Sequence, residues 1–359
     1  MLRSPRIWLG IAASFLFLGL FLYRTNFHEI FTAFEDANYV LALVALPVYF
    51  LGIRVRTIRW QYLLRPVARI SVWRLYPVVI IGLTANNLLP ARAGELVRAY
   101  ILGERENVSK AASLGTIAVD RLFDGLTLIP MMVIVALIVG NGAEFPLPLV
   151  DVSVGYLGLA VIMAVLFGGA LAMLFVLAFS EKGRELFDRL IRAITPARYE
   201  DKLVGLIGPF FDGLHSLRNP ADLSFAWFLS TVSWLLEATM YYMIGVAFGL
   251  DVGFQYYLLM TAAANLAISV VASQGGIGPF ELVTKQTMIS AGVTTSAATA
   301  YAIGLHALVL LPVIAVGLYF LGTMGLSIGD MFRQSSSPPP REGLAEAVAS
   351  GYPGEEPRS

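Results

Sequence analysis

Cysteine is absent from all 359 positions, which excludes disulfides, thiolate metal sites and thiol nucleophiles. Histidine is nearly absent: His28, His215 and His306 stand far apart, so no zinc-type ligand spacing exists and no metal or cofactor is implied. Charge is scarce as well. Asp, Glu, Lys and Arg make up 14% of the chain, where a soluble globular chain carries about 25%. Basic and acidic residues number 25 each. That balance gives no electrostatic reason to expect a nucleic acid partner.

Apolar sequence fills the space. Hydrophobic residues make up 57% and the mean hydropathy is +0.72. Many runs approach the ~20 residues that span a bilayer. The chain reads as an all-α polytopic protein of the cell membrane. Arg3 and Arg6 precede an apolar run at 7–23 with no small-residue cleavage motif behind it, so 7–24 is expected as a retained, peripheral helix. The transmembrane domain is placed at 1–332. It divides into a first repeat at 39–139, a connector helix at 153–179, a cytoplasmic loop at 180–222 and a second repeat at 223–325. The Pro/Ser/Glu-rich end, 333–359, reads as a disordered cytoplasmic tail. Trp60, Tyr62, Trp73 and Tyr76 fit an interfacial aromatic belt.

Two stretches break the apolar pattern. Residues 84–98 read TANNLLPARAGELVR and residues 271–285 read VASQGGIGPFELVTK. Aligning Glu95 with Glu281 superposes Gly94-Glu95-Leu96-Val97 on Phe280-Glu281-Leu282-Val283. Each stretch precedes a long apolar segment, with Asp124 to Pro130 matching His306 to Pro312. Broken, polar segments in corresponding halves point to a transport site. Arginines crowd 54–74 and cations recur through 180–222, whereas 140–152 has no Lys or Arg. By the positive-inside bias the first broken hairpin re-enters from the cytoplasm and the second from outside. The expected architecture is therefore an inverted repeat with two re-entrant hairpins and both termini cytoplasmic.

The candidate binding residues follow from these breaks. Asn86, Asn87 and Pro90 make the first turn. Arg92, Glu95 and Arg98 follow within one or two helical turns, with Glu95 and Arg98 spaced to pair. They suggest a cationic cavity for a phosphate, with Arg92 its main contact; ordinary surface charges on a cytoplasmic helix are the alternative. Asp120, Arg121 and Asp124 sit inside an apolar segment, where a charge costs about 2.5–3.5 kcal/mol on insertion scales. They either face a cavity or form internal pairs, Arg121 with Asp124 or Glu95. Glu237 has the same standing, with Arg54, Arg121 or Lys285 as partner. Gln274, Gly275, Gly276 and Gly278 make the second turn before Glu281. Their glycines suit unusual backbone angles and close approach. Asn265 and His306 read as hydrogen-bonders within the bundle. No catalytic residue is assigned.

The NNLLPARAGELVRAY stretch, the Asp120-Arg121-x-x-Asp124 set and GGIGPFE together resemble the transmembrane region of lysylphosphatidylglycerol synthase/flippase proteins and their stand-alone relatives. The resemblance covers about 7–325. In two-domain members a soluble C-terminal domain transfers an aminoacyl group and the membrane region moves the lipid product. Nothing after 325 reads as such a domain, so the resemblance implies the flippase-like half and no enzyme. The expected function is translocation of an anionic phospholipid or a polyprenyl-phosphate-linked lipid. The alternatives are a membrane enzyme acting on a lipid phosphate, or a subunit serving a separate lipid-modifying enzyme.

Overall fold

The computed structural model describes residues 27–89, 93–140, 144–147, 152–180, 185, 189, 208–211, 213–214, 220–270 and 273–326. Helix 7–24, Pro90, Arg92, the tail 333–359 and most of the loop 180–222 lie outside the described residues.

The described chain is helical apart from one hairpin. Its helices are α1 (Phe27–Glu35), α2 (Tyr39–Leu64), α3 (Val72–Leu88), α4 (Gly94–Glu106), α5 (Lys110–Val139), α6 (Tyr156–Phe179), α7 (Pro220–Ala247), α8 (Phe254–Val270), α9 (Pro279–Ser290) and α10 (Thr295–Thr323). Between α5 and α6, strands β1 (Glu144–Leu147) and β2 (Val152–Gly155) pair antiparallel, with Glu144 opposite Gly155. α1 forms because its apolar face has somewhere to go: Phe34 packs edge-on against Phe248, with ring centroids 5.4 Å apart.

Among the described residues, α2, α5 and α10 are long and apolar enough to cross a membrane. Side-chain oxygens start all three. Asn38, Ser109 and Thr294 accept from the backbone N–H three residues on, which satisfies donors that the helix itself leaves free. α3 and α8 have 17 residues each, and α4 and α9 have 13 and 12. At about 1.5 Å per residue none of these four reaches the ~30 Å of a hydrocarbon core. Val40, Val44, Ile134, Leu137, Val165 and Leu311 are exposed on the outside of the bundle. In a membrane protein such residues meet lipid.

The elements pair in a regular way. α2 packs on α7, α3 on α10, and α5 on α8; within each half α3 packs on α4 and α8 on α9. Glycine permits the close approaches. A Cβ at Gly94 would sit 2.0 Å from the Gly82 carbonyl oxygen, so the return of α4 along α3 leaves no room for a side chain. A Cβ at Gly317 would sit 1.9 Å from Oγ1 of Thr84, which donates to the Val313 carbonyl at 3.0 Å.

Part of the 180–222 loop packs into the bundle. Phe211 and Leu214 are buried with Leu63, Val119, Phe123 and Ala226. Trp60 is fully buried, so it is no belt residue, while Trp73 is exposed.

Candidate functional site

The two breaks meet. Nε2 of Gln274 donates to the Leu88 carbonyl at 2.9 Å, and a Cβ on Gly275 would be 3.4 Å from the Asn87 carbonyl oxygen. Gly275, Gly276 and Gly278 have φ of 62°, 78° and 98°, a run that L side chains resist. α9 then starts at Pro279. The Gly278 N–H at its head donates to Oε2 of Glu281 at 2.7 Å. The first break is closed similarly: the Gly94 N–H donates to Oδ1 of Asn86 at 2.8 Å, and Nδ2 of Asn86 donates to Oε1 of Glu95 at 3.2 Å. One carboxylate thus stands at the head of each returning helix, as the alignment of Glu95 with Glu281 anticipates.

Behind the breaks lies a polar cavity of about 450 Å³. Asn86, Asn87, Glu95, Arg121, Asp124, Glu237 and Gly275 line it, all expected from the sequence. Tyr49, Arg56, Trp234, Tyr241, Asn265 and His306 line it too. Glu237 is held by Arg56, and its Oε1 accepts from the Tyr241 hydroxyl at 2.9 Å and Nδ2 of Asn265 at 3.1 Å. The expected partners of Glu237 are therefore corrected to Arg56. Arg54, two residues earlier, points away and stacks over Trp73 at 3.8 Å.

A second layer sits beneath the cavity. Arg59 is fully buried; Nε donates to Oδ1 of Asp120 at 2.9 Å, and Nη1 to Oδ1 of Asp124 at 2.9 Å and to Oγ of Ser230 at 2.7 Å. Arg98 lies 3.4 Å from Oδ2 of Asp120 and 4.1 Å over the Trp60 ring. Its expected pairing with Glu95 is corrected to Asp120. Arg98 and Asp120 are buried cross-links among α2, α4 and α5 and do not line the cavity. Arg121 does. Its side chain is 40% exposed, 3.1 Å from Oδ2 of Asp124 and 3.7 Å from Oε1 of Glu95. Both alternatives for this segment hold, on different residues: internal pairs, and a group facing the cavity.

Four guanidiniums, of Arg56, Arg59, Arg98 and Arg121, thus meet four carboxylates, of Glu95, Asp120, Asp124 and Glu237. Of these, Arg56, Arg121, Glu95, Asp124 and Glu237 line the cavity, so for the described residues the expected cationic cavity is corrected to one whose charges are paired. Burial is the reason, because an unpaired interior charge is far costlier than a paired one. Glu281 also stays behind the wall, with its Oε1 2.6 Å from Nδ1 of His306. Gln274, Gly276 and Gly278 shape the second turn without lining the cavity. No group of three or more His, Cys, Asp or Glu suited to a metal occurs among the described residues.

A helical membrane bundle with broken helix pairs around a cavity lined by paired charges is the class this geometry defines. The chain belongs to the family described as the lysylphosphatidylglycerol synthase TM region, matching it over residues 7–317. It is 25% identical to a protein named glycosyltransferase AglD of Haloferax volcanii, over 95% of this chain and 58% of that protein. It is 24% identical to a UPF0104 membrane protein of Methanothermobacter thermautotrophicus, over 84% of this chain and 90% of that protein. A second UPF0104 membrane protein of that organism is 25% identical, over 71% of this chain and 74% of its own length. The chain therefore spans 58% of the length of AglD. That match corrects the non-enzyme expectation: a relative named for glycosyl transfer aligns with almost the whole chain.

Proposed function

We propose that this protein moves a lipid with an anionic head group, either a phospholipid or a polyprenyl-phosphate-linked sugar lipid, between the leaflets of the cell membrane. The observation that carries the reading is the cavity itself, bordered by two helix pairs too short to span and set among apolar helices. Hydrogen-bonding and charged side chains along such a cavity are suited to receiving something polar. Arg121 would take the phosphate, and Asn86, Asn87 and Asn265 the neutral polar atoms.

The two halves are read as an inverted repeat with re-entrant hairpins. Helix lengths of 26, 17, 13 and 30 residues in α2–α5 are followed by 28, 17, 12 and 29 in α7–α10. Exchanging the halves turns the α3–α10 contact into the α8–α5 contact and leaves α2–α7 as itself, the pattern of a two-fold axis. Rocking about such an axis exposes a central site to each side in turn. With both termini cytoplasmic, a single cysteine replacing Asp251 should label from outside and one replacing Glu104 from inside. Labelling of both from one side overturns the topology.

A second reading, glycosyl transfer to or from a lipid-linked sugar, is favoured by the name of the AglD relative. Purified protein in liposomes separates the two. With labelled phosphatidylglycerol and a labelled polyprenyl-phosphate hexose, translocation changes the leaflet and leaves the lipid intact. A new lipid species, formed when a sugar donor is supplied, supports transfer. Neither probe changing leaflet in excess of empty liposomes overturns translocation of both lipid classes.

A further inference from the structure

His306 sits between two acceptors. Nε2 lies 3.0 Å from the Gly275 carbonyl oxygen, and Nδ1 lies 2.6 Å from Oε1 of Glu281. A carbonyl only accepts, so Nε2 must carry a hydrogen. With the usual single proton of a neutral imidazole placed there, Nδ1 would turn a lone pair onto a carboxylate oxygen. The 2.6 Å contact therefore needs one more proton, on Nδ1 or on Glu281 itself. Both side chains are buried, and Phe280 lies against the ring with centroids 4.5 Å apart.

We infer that His306 and Glu281 form a proton-binding site, and that the bound proton holds the second break against α10. Glu281 caps α9 through the Gly278 N–H, and His306 holds the Gly275 carbonyl. Gln274 ties the same turn to the first break at Leu88. Loss of the proton sets lone pair against lone pair at 2.6 Å and detaches the turn from one of its two anchors. Gly275 lines the cavity, so the site is placed to link proton movement to the opening of the cavity.

The other titratable groups near the ring are accounted for. Lys285 lies one turn beyond Glu281 on α9. Tyr49 and Arg56 of α2, Glu95 of α4, Arg121 and Asp124 of α5, and Glu237 and Tyr241 of α7 share the cavity wall. Arg56, Arg121 and their carboxylates are engaged with one another. α1 meets α10 through Phe34 at Gly304, an uncharged contact.

The coupling rests on the translocation reading; the proton site does not, and the test separates them. Solid-state NMR on protein labelled with ¹⁵N-histidine and ¹³C-glutamate reads the proton directly, since the chain has three histidines. The expected result, within the pH range where the protein is folded, is two ring N–H groups at His306, or one with Glu281 protonated; Glu281→Gln should leave one bare ring nitrogen. A bare nitrogen beside an ionised Glu281, at every pH where the protein is folded, overturns the site. In liposomes carrying both lipid probes, one proton per lipid should let a gradient of one pH unit build a leaflet ratio of about tenfold. His306→Gln should lose that ratio at any rate of movement. Labelled lipid that moves in the unmodified protein but settles at a ratio of one overturns the coupling and leaves translocation standing. Labelled lipid that does not move at all removes translocation and the coupling together, with NMR still deciding the site.

Discussion

Arg59→Ala is expected to yield little folded protein. The side chain is fully buried and gives Nε and Nη1 hydrogen bonds to Asp120, Asp124 and Ser230. Truncation strands two carboxylates. Asp120 keeps Arg98 at 3.4 Å and Asp124 keeps Arg121 at 3.1 Å, but neither replaces the short bonds to Arg59. Breaking a buried pair from one side costs about 3–5 kcal/mol, a large share of the ~5–15 kcal/mol that holds a typical protein folded. Arg59→Lys keeps the charge without the planar fork, so it should fall between. Thermal unfolding of the solubilised protein, followed by size-exclusion fluorescence, measures both. An unchanged unfolding temperature in Arg59→Ala would show that the buried layer does not hold α2, α5 and α7 together.

Arg121→Ala should do the reverse and leave a folded protein that has lost its function. Its guanidinium has surface on the cavity, whereas those of Arg59 and Arg98 do not. Removing it strands nobody, because Asp124 retains Arg59 and Glu95 retains the Asn86 amide. A charged hydrogen bond is worth about 1.5–3 kcal/mol, or roughly 10–150-fold in rate, if the head group is bound through it. Arg121→Lys should keep part of the rate, since an ammonium supplies charge without bidentate geometry. The measurement is leaflet exchange of the labelled lipids in liposomes. Full-rate exchange in Arg121→Ala, in protein with an unshifted unfolding temperature, would remove Arg121 from the site.

Asp120 and Arg121 show how far the sequence could be read. Charges in an apolar run announce that something polar is nearby, and that much was legible. What each does depends on direction. Neighbours on a helix point about 100° apart, so Asp120 turns inward to Arg59 and Arg98 while Arg121 turns to the cavity. Both breaks, their carboxylates and the long helices were legible because Gly, Pro and Asn interrupt otherwise continuous apolar sequence. Arg56 and Arg59 were hidden among Arg54, Arg65, Arg69 and Arg74, a cluster whose plain meaning is cytoplasmic charge. Only the cross-chain partners, Glu237 at 181 positions from Arg56 and Ser230 at 171 from Arg59, separate them from that cluster. The same limit hid the partners of His306, which the sequence marks as a hydrogen-bonder of the bundle: its bond to Glu281 is a property of two helices meeting.

The α3–α10 contact also constrains how the protein is made. Thr84 waits for Val313, 229 positions later. At about 5–20 residues per second a ribosome takes on the order of tens of seconds to supply it. Until then the nascent first half holds α3 without the cover of α10. Insertion must leave α3 sheltered by the translocation machinery, or loosely placed, until the last long helix arrives to close the bundle.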